Sequence, residues 1–195
     1  MGYKNREVEV KMLAVGVKGL QTMVDRIDPL FKNASDIIIG NAADLYWSTP
    51  KNSPADFVRL RRVSNASDEG QITAKATDKG STVDRVEIDL PVPYKQAKAL
   101  MLAAHGDPMA EVVKKYHVYL LENDDTTVSV YQVRNDDRVF VEVEARTKKR
   151  VAEIIRVILA GSNTDYEWIQ SSVYNMFVEK KAMKSVAFQK FLESV

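Results

Sequence analysis

The sequence predicts an α+β fold in which a large antiparallel sheet carries most of the chain. Two observations lead there. Valine, isoleucine, tyrosine and threonine alternate with charged residues in segment after segment, the period of two that marks a half-buried strand. Stretches with helical spacing are few, and the order reads strand, helix, a run of strands, helix, three strands, then helices.

Each element has its own signal. Residues 5–13 alternate Glu7-Val8-Glu9-Val10-Lys11 and form the first strand. Leu20, Val24, Ile27 and Phe31 then recur at helical spacing, and Pro29 ends or bends that helix near Asp28. Asp36 to Gly40 reads as a turn leading into a second strand at Asp44-Leu45-Tyr46-Trp47, and Pro50 and Pro54 bracket the loop that follows. Phe57–Val63 is the third strand; after a polar loop from Ser64 to Gly70, Gln71–Thr77 is the returning one. Asp78-Lys79-Gly80-Ser81 is turn chemistry, and the strand from Asp84 to Leu90 is stopped by Pro91 and Pro93.

Lys95–Ala104 is rich in alanine and leucine and ends at Gly106, a short helix with a glycine stop. Strands at Val112–Leu121 and Thr126–Arg134 are joined by Asn123-Asp124-Asp125, and Asn135-Asp136-Asp137 turns the chain into Val139–Arg146. Thr147 is suited to cap a helix from Lys148 to Ala160 that places Val151, Ile154, Ile155 and Ile158 on one side. From about residue 165 to 195 the chain reads as helical, and Met183–Leu192 is amphipathic, able to lie on the body or to mediate a homodimer. With no convincing linker, residues 1–195 read as a single domain with that C-terminal helical segment attached.

Composition narrows the function. The 45% hydrophobic and 28% charged fractions are those of an ordinary globular protein, and a net charge of +1 gives no support for nucleic-acid or membrane-surface binding. Cysteine is absent, which excludes disulfides, thiolate catalysis and zinc-thiolate sites, and His105 and His117 have no metal-ligand spacing. The N-terminus begins polar, so neither a signal peptide nor a membrane helix is expected and a cytoplasmic protein is the default. There is no Gly-x-x-x-x-Gly-Lys-Ser/Thr loop, so a P-loop nucleotide site is excluded.

The period of two sorts the charges. Glu7, Glu9 and Lys11 share a face, as do Arg59 and Arg61, Thr73 and Lys75, Arg85, Glu87 and Asp89, Lys114 and Tyr116, and Glu142 and Glu144. Any one such face would be explained by solvation. Together they put arginine and lysine on the middle strands and paired glutamates on the first and last. A sheet curled into a closed barrel with this face inward would have a polar lumen suited to a polyanion and a bound metal, with its apolar faces outward against the helices. Glutamates about 7 Å apart along a strand, with an ammonium next in line, can hold a divalent cation and one end of an anion.

These segments resemble the motifs of the CYTH, or triphosphate tunnel, enzymes. Glu7-x-Glu9-x-Lys11 is similar to the pentapeptide that opens the family. Asp44-x-Tyr46-Trp47, Arg59-Leu60-Arg61, Thr73-Ala74-Lys75, Arg85-Val86-Glu87, Lys114 and Glu142-Val143-Glu144 follow in the family's order. The resemblance implies an eight-stranded antiparallel β-barrel, the triphosphate tunnel, with helices packed outside. It implies Mg²⁺ or Mn²⁺ on Glu7, Glu9, Glu142 and Glu144. Phosphates would be held by Lys11, Arg59, Arg61, Lys75, Arg85 and Lys114, and the reaction would rest on Glu9, Lys11, Lys75 and Glu144. Glu87 would orient a neighbouring arginine.

The chain departs from the family at two places. Tyr116 stands where an arginine is expected, and Tyr131 or Gln132 stands where an acid is often found; Arg134 is a candidate to replace the lost positive charge. Among the remaining features, Lys148-Lys149-Arg150 reads as an exposed helix start, Lys79 as a turn residue, His117 as pointing away from the lumen, and Trp47 and Trp168 as core. The expected function is therefore metal-dependent hydrolysis of a small-molecule triphosphate, whether nucleoside, thiamine or inorganic. A class IV adenylyl cyclase making cyclic AMP and pyrophosphate is the close alternative, and a non-catalytic nucleotide or polyphosphate binder the other.

Overall fold

The structure, a computed structural model, describes residues 3–53, 55–63, 68–77, 84–121, 126–183, 185–187 and 192, of which residues 3–7, 63, 77, 84–86 and 185–187 are described by backbone alone. The order is β1 (Tyr3–Ala14), α1 (Leu20–Ile27), a 3₁₀ turn (Asp28–Leu30), β2 (Asp36–Ser48), β3 (Phe57–Val63), β4 (Glu69–Thr77), β5 (Asp84–Pro93), α2 (Tyr94–His105), β6 (Ala110–Leu121), β7 (Thr126–Val133), β8 (Val139–Ala145), α3 (Lys148–Gly161), β9 (Tyr166–Ile169), a π turn (Tyr174–Val178) and β10 (Ser185–Ala187). The α+β class is as the sequence predicts.

The sheet has ten strands in the order β10-β9-β1-β5-β4-β3-β2-β6-β7-β8, with β1 and β8 also paired. All of its pairings are antiparallel, both the sequential hairpins and the long-range pairs β1–β5, β1–β8, β1–β9 and β2–β6. β1 is shared along its length. Residues 3–8 pair with β5, residues 8–13 pair with β8, and Lys11–Ala14 pair with β9.

Three elements differ from the sequence reading. β2 is continuous from Asp36 to Ser48, with Gly40 inside it rather than in a turn. Gly40 sits opposite Tyr116 in the register with β6, and the tyrosine side chain occupies the space that a side chain at Gly40 would take. β5 runs through Pro91 and Pro93, which pair with Gln71 and Glu69 of β4. Its pairing with β1 ends at Asp89, so beyond that point β5 is an edge among the described residues, where a missing N–H disrupts no ladder.

The third difference is the segment after residue 165, read as helical, which instead gives β9, a π turn and β10. Tyr166, Trp168 and Ile169 favour a strand, and Trp168 and Ile169 are buried on opposite faces, so tertiary packing fixes β9 against β1. Of the amphipathic segment 183–192, residues 184, 188–191 lie outside the described residues, as do Lys79 and Asn123 to Asp125.

The apolar faces of β1, β7 and β8, and those of β2 and β3 around Leu45 and Leu60, point outward to the helices, while Ile39 of β2 and Ile88 and Leu90 of β5 are exposed. Val8, Val10 and Met12 of β1, with the matching residues of β7 and β8, form a core with Met23 and Ile27 of α1 and Val151, Ile155 and Ile158 of α3. Each such aliphatic side chain contributes about 1.5–3 kcal/mol when fully buried. Tyr94, Ala97 and Met101 of α2 cover Leu45, Trp47 and Leu60 of β2 and β3. Thr147 caps α3 by accepting from the Arg150 N–H at 3.2 Å, and Gly106 ends α2 at φ 73°. Among the described residues no helix is long and apolar enough to cross a membrane.

Candidate functional site

Opposite the helix-covered faces, the second face of β1 to β8 carries the charged residues, and they line one cavity of about 430 Å³. All eight strands contribute, among them Glu9 and Lys11 from β1, Arg59 and Arg61 from β3, Lys75 from β4, Glu87 from β5, Lys114 from β6, Ser129 from β7, and Glu142 and Glu144 from β8. Unlike charges meet across strands. Lys11 Nζ is 2.7 Å from Glu142 Oε1 and 3.5 Å from Glu9 Oε1. Lys75 Nζ bridges Glu9 Oε2 at 2.6 Å and Glu87 Oε2 at 2.8 Å. Arg59 donates to Thr73 Oγ1 at 2.9 Å and lies 3.5 Å from Glu87, and Thr73 in turn donates to Asp89 at 2.6 Å.

A second group surrounds Asp44, which has no exposed surface. Arg61 holds it in a two-pronged contact at 2.7 and 3.0 Å, and Lys114 Nζ lies 3.3 Å away. Burial alone would push the Asp44 carboxyl up; Arg61, Lys114 and Arg59 instead hold it well below the usual carboxylate range. The Lys114 ammonium is lowered to about 8 by burial, which the attraction of Asp44 only partly offsets. It also lies over the Tyr131 ring, 5.0 Å from the centroid. The Tyr131 hydroxyl donates to Glu142 at 3.0 Å, and burial together with that glutamate pushes it well above its ordinary value.

The carboxylates are less evenly served. Burial opposes ionisation of Glu142 and Glu87, yet Lys11 keeps the first low, and Lys75 and Arg59 the second. Glu144 is raised to about 7, first by burial and then by Glu9, its direct partner across β1 and β8. Like charges facing each other on adjacent strands are unfavourable, and a hard cation between them would relieve the crowding. Glu9, Glu142 and Glu144 carry oxygen donors of the kind a hard divalent cation takes. Among the described residues no three acidic or histidine side chains form a ready-made cage. Lysines hold Glu9 and Glu142 in their places, so those ion pairs would have to exchange.

The structure thus brings together Glu9, Lys11, Arg59, Arg61, Lys75, Lys114, Glu142 and Glu144. The side chains of Glu7 and Arg85 lie outside the described residues, although their backbones pair across β1 and β5. Arg134 does not join the cluster. It is exposed, follows the end of β7, and lines an outer groove with Lys115 and Gln132. The inward residue of β7 is Tyr131 rather than Gln132, so a hydroxyl stands where an acid was expected. Tyr116 also points inward, and His117 points outward, stacked on Tyr119 and 3.8 Å from Asp28.

Asp44, Asp89 and Thr127, which the sequence does not mark as site residues, complete the network, Thr127 donating to Glu144 at 3.3 Å. Asp44 shares a face with Tyr46 in a quoted motif, so parity alone could have placed it.

No family model matches the sequence, and no curated protein matches it. Solved structures do match in fold. A proposed adenylyl cyclase from Hippeastrum with a dominant triphosphatase activity superposes with a TM-score of 0.69 at 14% identity, covering 90% of this chain and 97% of that one. A proposed adenylate cyclase from Vibrio parahaemolyticus gives 0.60 at 12% identity over 98% and 99%. A chain of the Schizosaccharomyces pombe Mediator head module gives 0.58 at 11% identity over 83% and 97%. The CYTH resemblance read from the motifs is thus matched by fold, and a similar fold occurs in the Mediator head module.

Proposed function

We propose that residues 1–195 form a CYTH-type domain whose eight strands β1 to β8 enclose a tunnel, and that the tunnel binds a small-molecule triphosphate and hydrolyses it. The return pairing of β8 onto β1 supports the enclosure. The observation that carries the function is the cluster of five cations, Lys11, Arg59, Arg61, Lys75 and Lys114, around one cavity. One of them, Arg59, keeps a buried Nε with no hydrogen-bond partner among the described residues. A buried guanidinium N–H without an acceptor is costly, and a phosphate oxygen is the acceptor such a fork fits.

In this reading Arg59, Arg61 and Lys114 neutralise the phosphate chain, and Lys11 and Lys75 exchange carboxylate partners for phosphoryl oxygens. Glu9, Glu142 and Glu144, with Glu7 on the same strand face, would hold Mg²⁺ or Mn²⁺. That ion, when bound, supplies charge neutralisation to the reacting phosphoryl group. Glu9 and Glu144 face each other beside the lysines, placed to take the proton of an attacking water. Asp44 and Thr73 keep Arg61 and Arg59 aimed, so positioning and charge supply most of the rate. A cytoplasmic setting belongs to the same proposal.

Incubation with ATP, thiamine triphosphate and inorganic triphosphate in Mg²⁺ or Mn²⁺, with products identified, tests it. Orthophosphate release without cyclic AMP is the expected result. Cyclic AMP with pyrophosphate would make the chain a cyclase, and tight binding without turnover would make it a binding module.

A further inference from the structure

Among the described residues one end of the cavity is capped by buried aromatic side chains and the other is not, which sets how a triphosphate would lie. At the capped end Tyr46, Phe57, Tyr131, Phe140 and Tyr174 form an aromatic plug in which each is buried. The Tyr174 ring from the π turn stacks on Phe57 with centroids 4.9 Å apart. At the opposite end the inward residues lose that burial, and Ile38, which lines the cavity, is 42% exposed.

The chemistry of the wall changes along the same direction. On β6 the inward residues run from Lys114 to Tyr116 to Val118, and on β2 from Asp44 to Ala42 to Gly40 to Ile38. On β2 and β6 the cations thus end before the mouth, and the wall that these two strands form becomes apolar, while Ser129, Glu144 and Asp89 keep the facing strands polar. Gly40 has a part in this. A Cβ there would lie 2.8 Å from the Tyr116 hydroxyl oxygen and 3.1 Å from Cζ, so the absence of a side chain lets the phenol ring lie down on β2. The ring then leaves the lumen passable and adds an aromatic surface beside Ile38 and Val118.

Resting on the triphosphate reading above, we infer that Ile38, Tyr116 and Val118 seat the ring of an organic triphosphate, so the site is built for an aromatic-headed triphosphate over inorganic triphosphate. The phosphate chain enters first, because the plug leaves one way in among the described residues, and the head group stops at the mouth. An inorganic anion gains nothing from exposed isoleucine and valine, whereas a flat heterocycle buries them and its own apolar surface. Ser129 and the Tyr116 hydroxyl stand at the same level to accept or donate hydrogen bonds to the ring's polar edge.

Calorimetric titration of the full chain with ATP, thiamine triphosphate and inorganic triphosphate tests this, on wild type, on an Ile38→Ser/Val118→Ser double variant, and on Gly40→Val, which lifts Tyr116. Wild type is expected to bind at least one organic triphosphate more tightly than the inorganic one. Both variants should weaken that organic ligand about fivefold to tenfold while inorganic triphosphate stays within about twofold, which also shows that they fold. Equal affinity of wild type for organic and inorganic ligands, or an unchanged organic affinity in the variants, overturns the head-group seat and leaves the triphosphate reading standing. Parallel loss of the inorganic ligand likewise overturns it. Failure of folded wild type to bind any of the three overturns the triphosphate reading and the seat with it.

Discussion

Replacing Asp44 with asparagine should damage stability far more than a typical polar substitution. Asp44 is 0% exposed and takes two guanidinium bonds from Arg61, at 2.7 and 3.0 Å, with the Lys114 ammonium 3.3 Å away. An amide of the same shape removes the only charge that holds Arg61 and Lys114 side by side among the described contacts, and it turns an NH₂ toward one of the donors. Removing one member of a buried ion pair costs about 3–5 kcal/mol, because the surviving charge stays buried. For a chain of this length about 2–4 °C of melting temperature accompanies each kcal/mol, so Asp44→Asn should melt about 6–20 °C lower.

Urea and thermal unfolding with and without inorganic triphosphate measure this. Triphosphate should recover part of the loss, since its oxygens supply acceptors to the same two cations. A variant within about 0.5 kcal/mol of wild type, in the range of ordinary surface substitutions, would refute the network as described.

Four further outcomes follow from the geometry. Lys114 is lowered to about 8 by burial, with Asp44, Arg61, Glu142 and Arg59 as its charged surroundings. It is charged below that pH and neutral above it, so triphosphate affinity should fall as pH rises through about 8, and Lys114→Arg should remove that alkaline loss in a calorimetric pH series. The double variant Glu142→Gln/Glu144→Gln should raise the Mn²⁺ concentration needed for half-maximal turnover by about tenfold or more, read from a metal titration. Thr147→Ala removes the α3 cap and should cost about 1 kcal/mol in urea melts while triphosphate affinity is unchanged. Ile155→Ala, at a position with no exposed surface in the core under α3, should cost about 2–5 kcal/mol by the same measurement.

The site was more legible than the chain's ends, and the reason is the period of two. Alternation puts Glu9 and Lys11, or Arg59 and Arg61, on one face wherever the strand begins, so a boundary error of two residues does no harm. The same rule explains the failure at Arg134. With Tyr131 inward, Gln132 and Arg134 must point outward, so parity rules Arg134 out as a replacement for the lost cation.

What the sequence hid were choices made by distant partners. Gly40 reads as a turn residue until the Tyr116 side chain lies across it, and Pro91 reads as a stop until β1 is seen to end its pairing at Asp89. Tyr166 to Ile169 lack a long alternating pattern, and only the unoccupied edge of β1 at Lys11–Ala14 makes them a strand. Asp44 was within a quoted motif, but its role depends on Arg61 and Lys114 arriving from β3 and β6, which one strand alone does not reveal.

The central claim is that the charged cavity is a triphosphate site. Calorimetric titration of inorganic triphosphate into wild type and into Arg59→Ala, with folding checked by circular dichroism, tests it most directly. The account predicts saturable binding by wild type and a loss of about tenfold to a hundredfold in the variant, the worth of one charge-assisted contact to phosphate. No binding by folded wild type, or equal binding by Arg59→Ala, would contradict it.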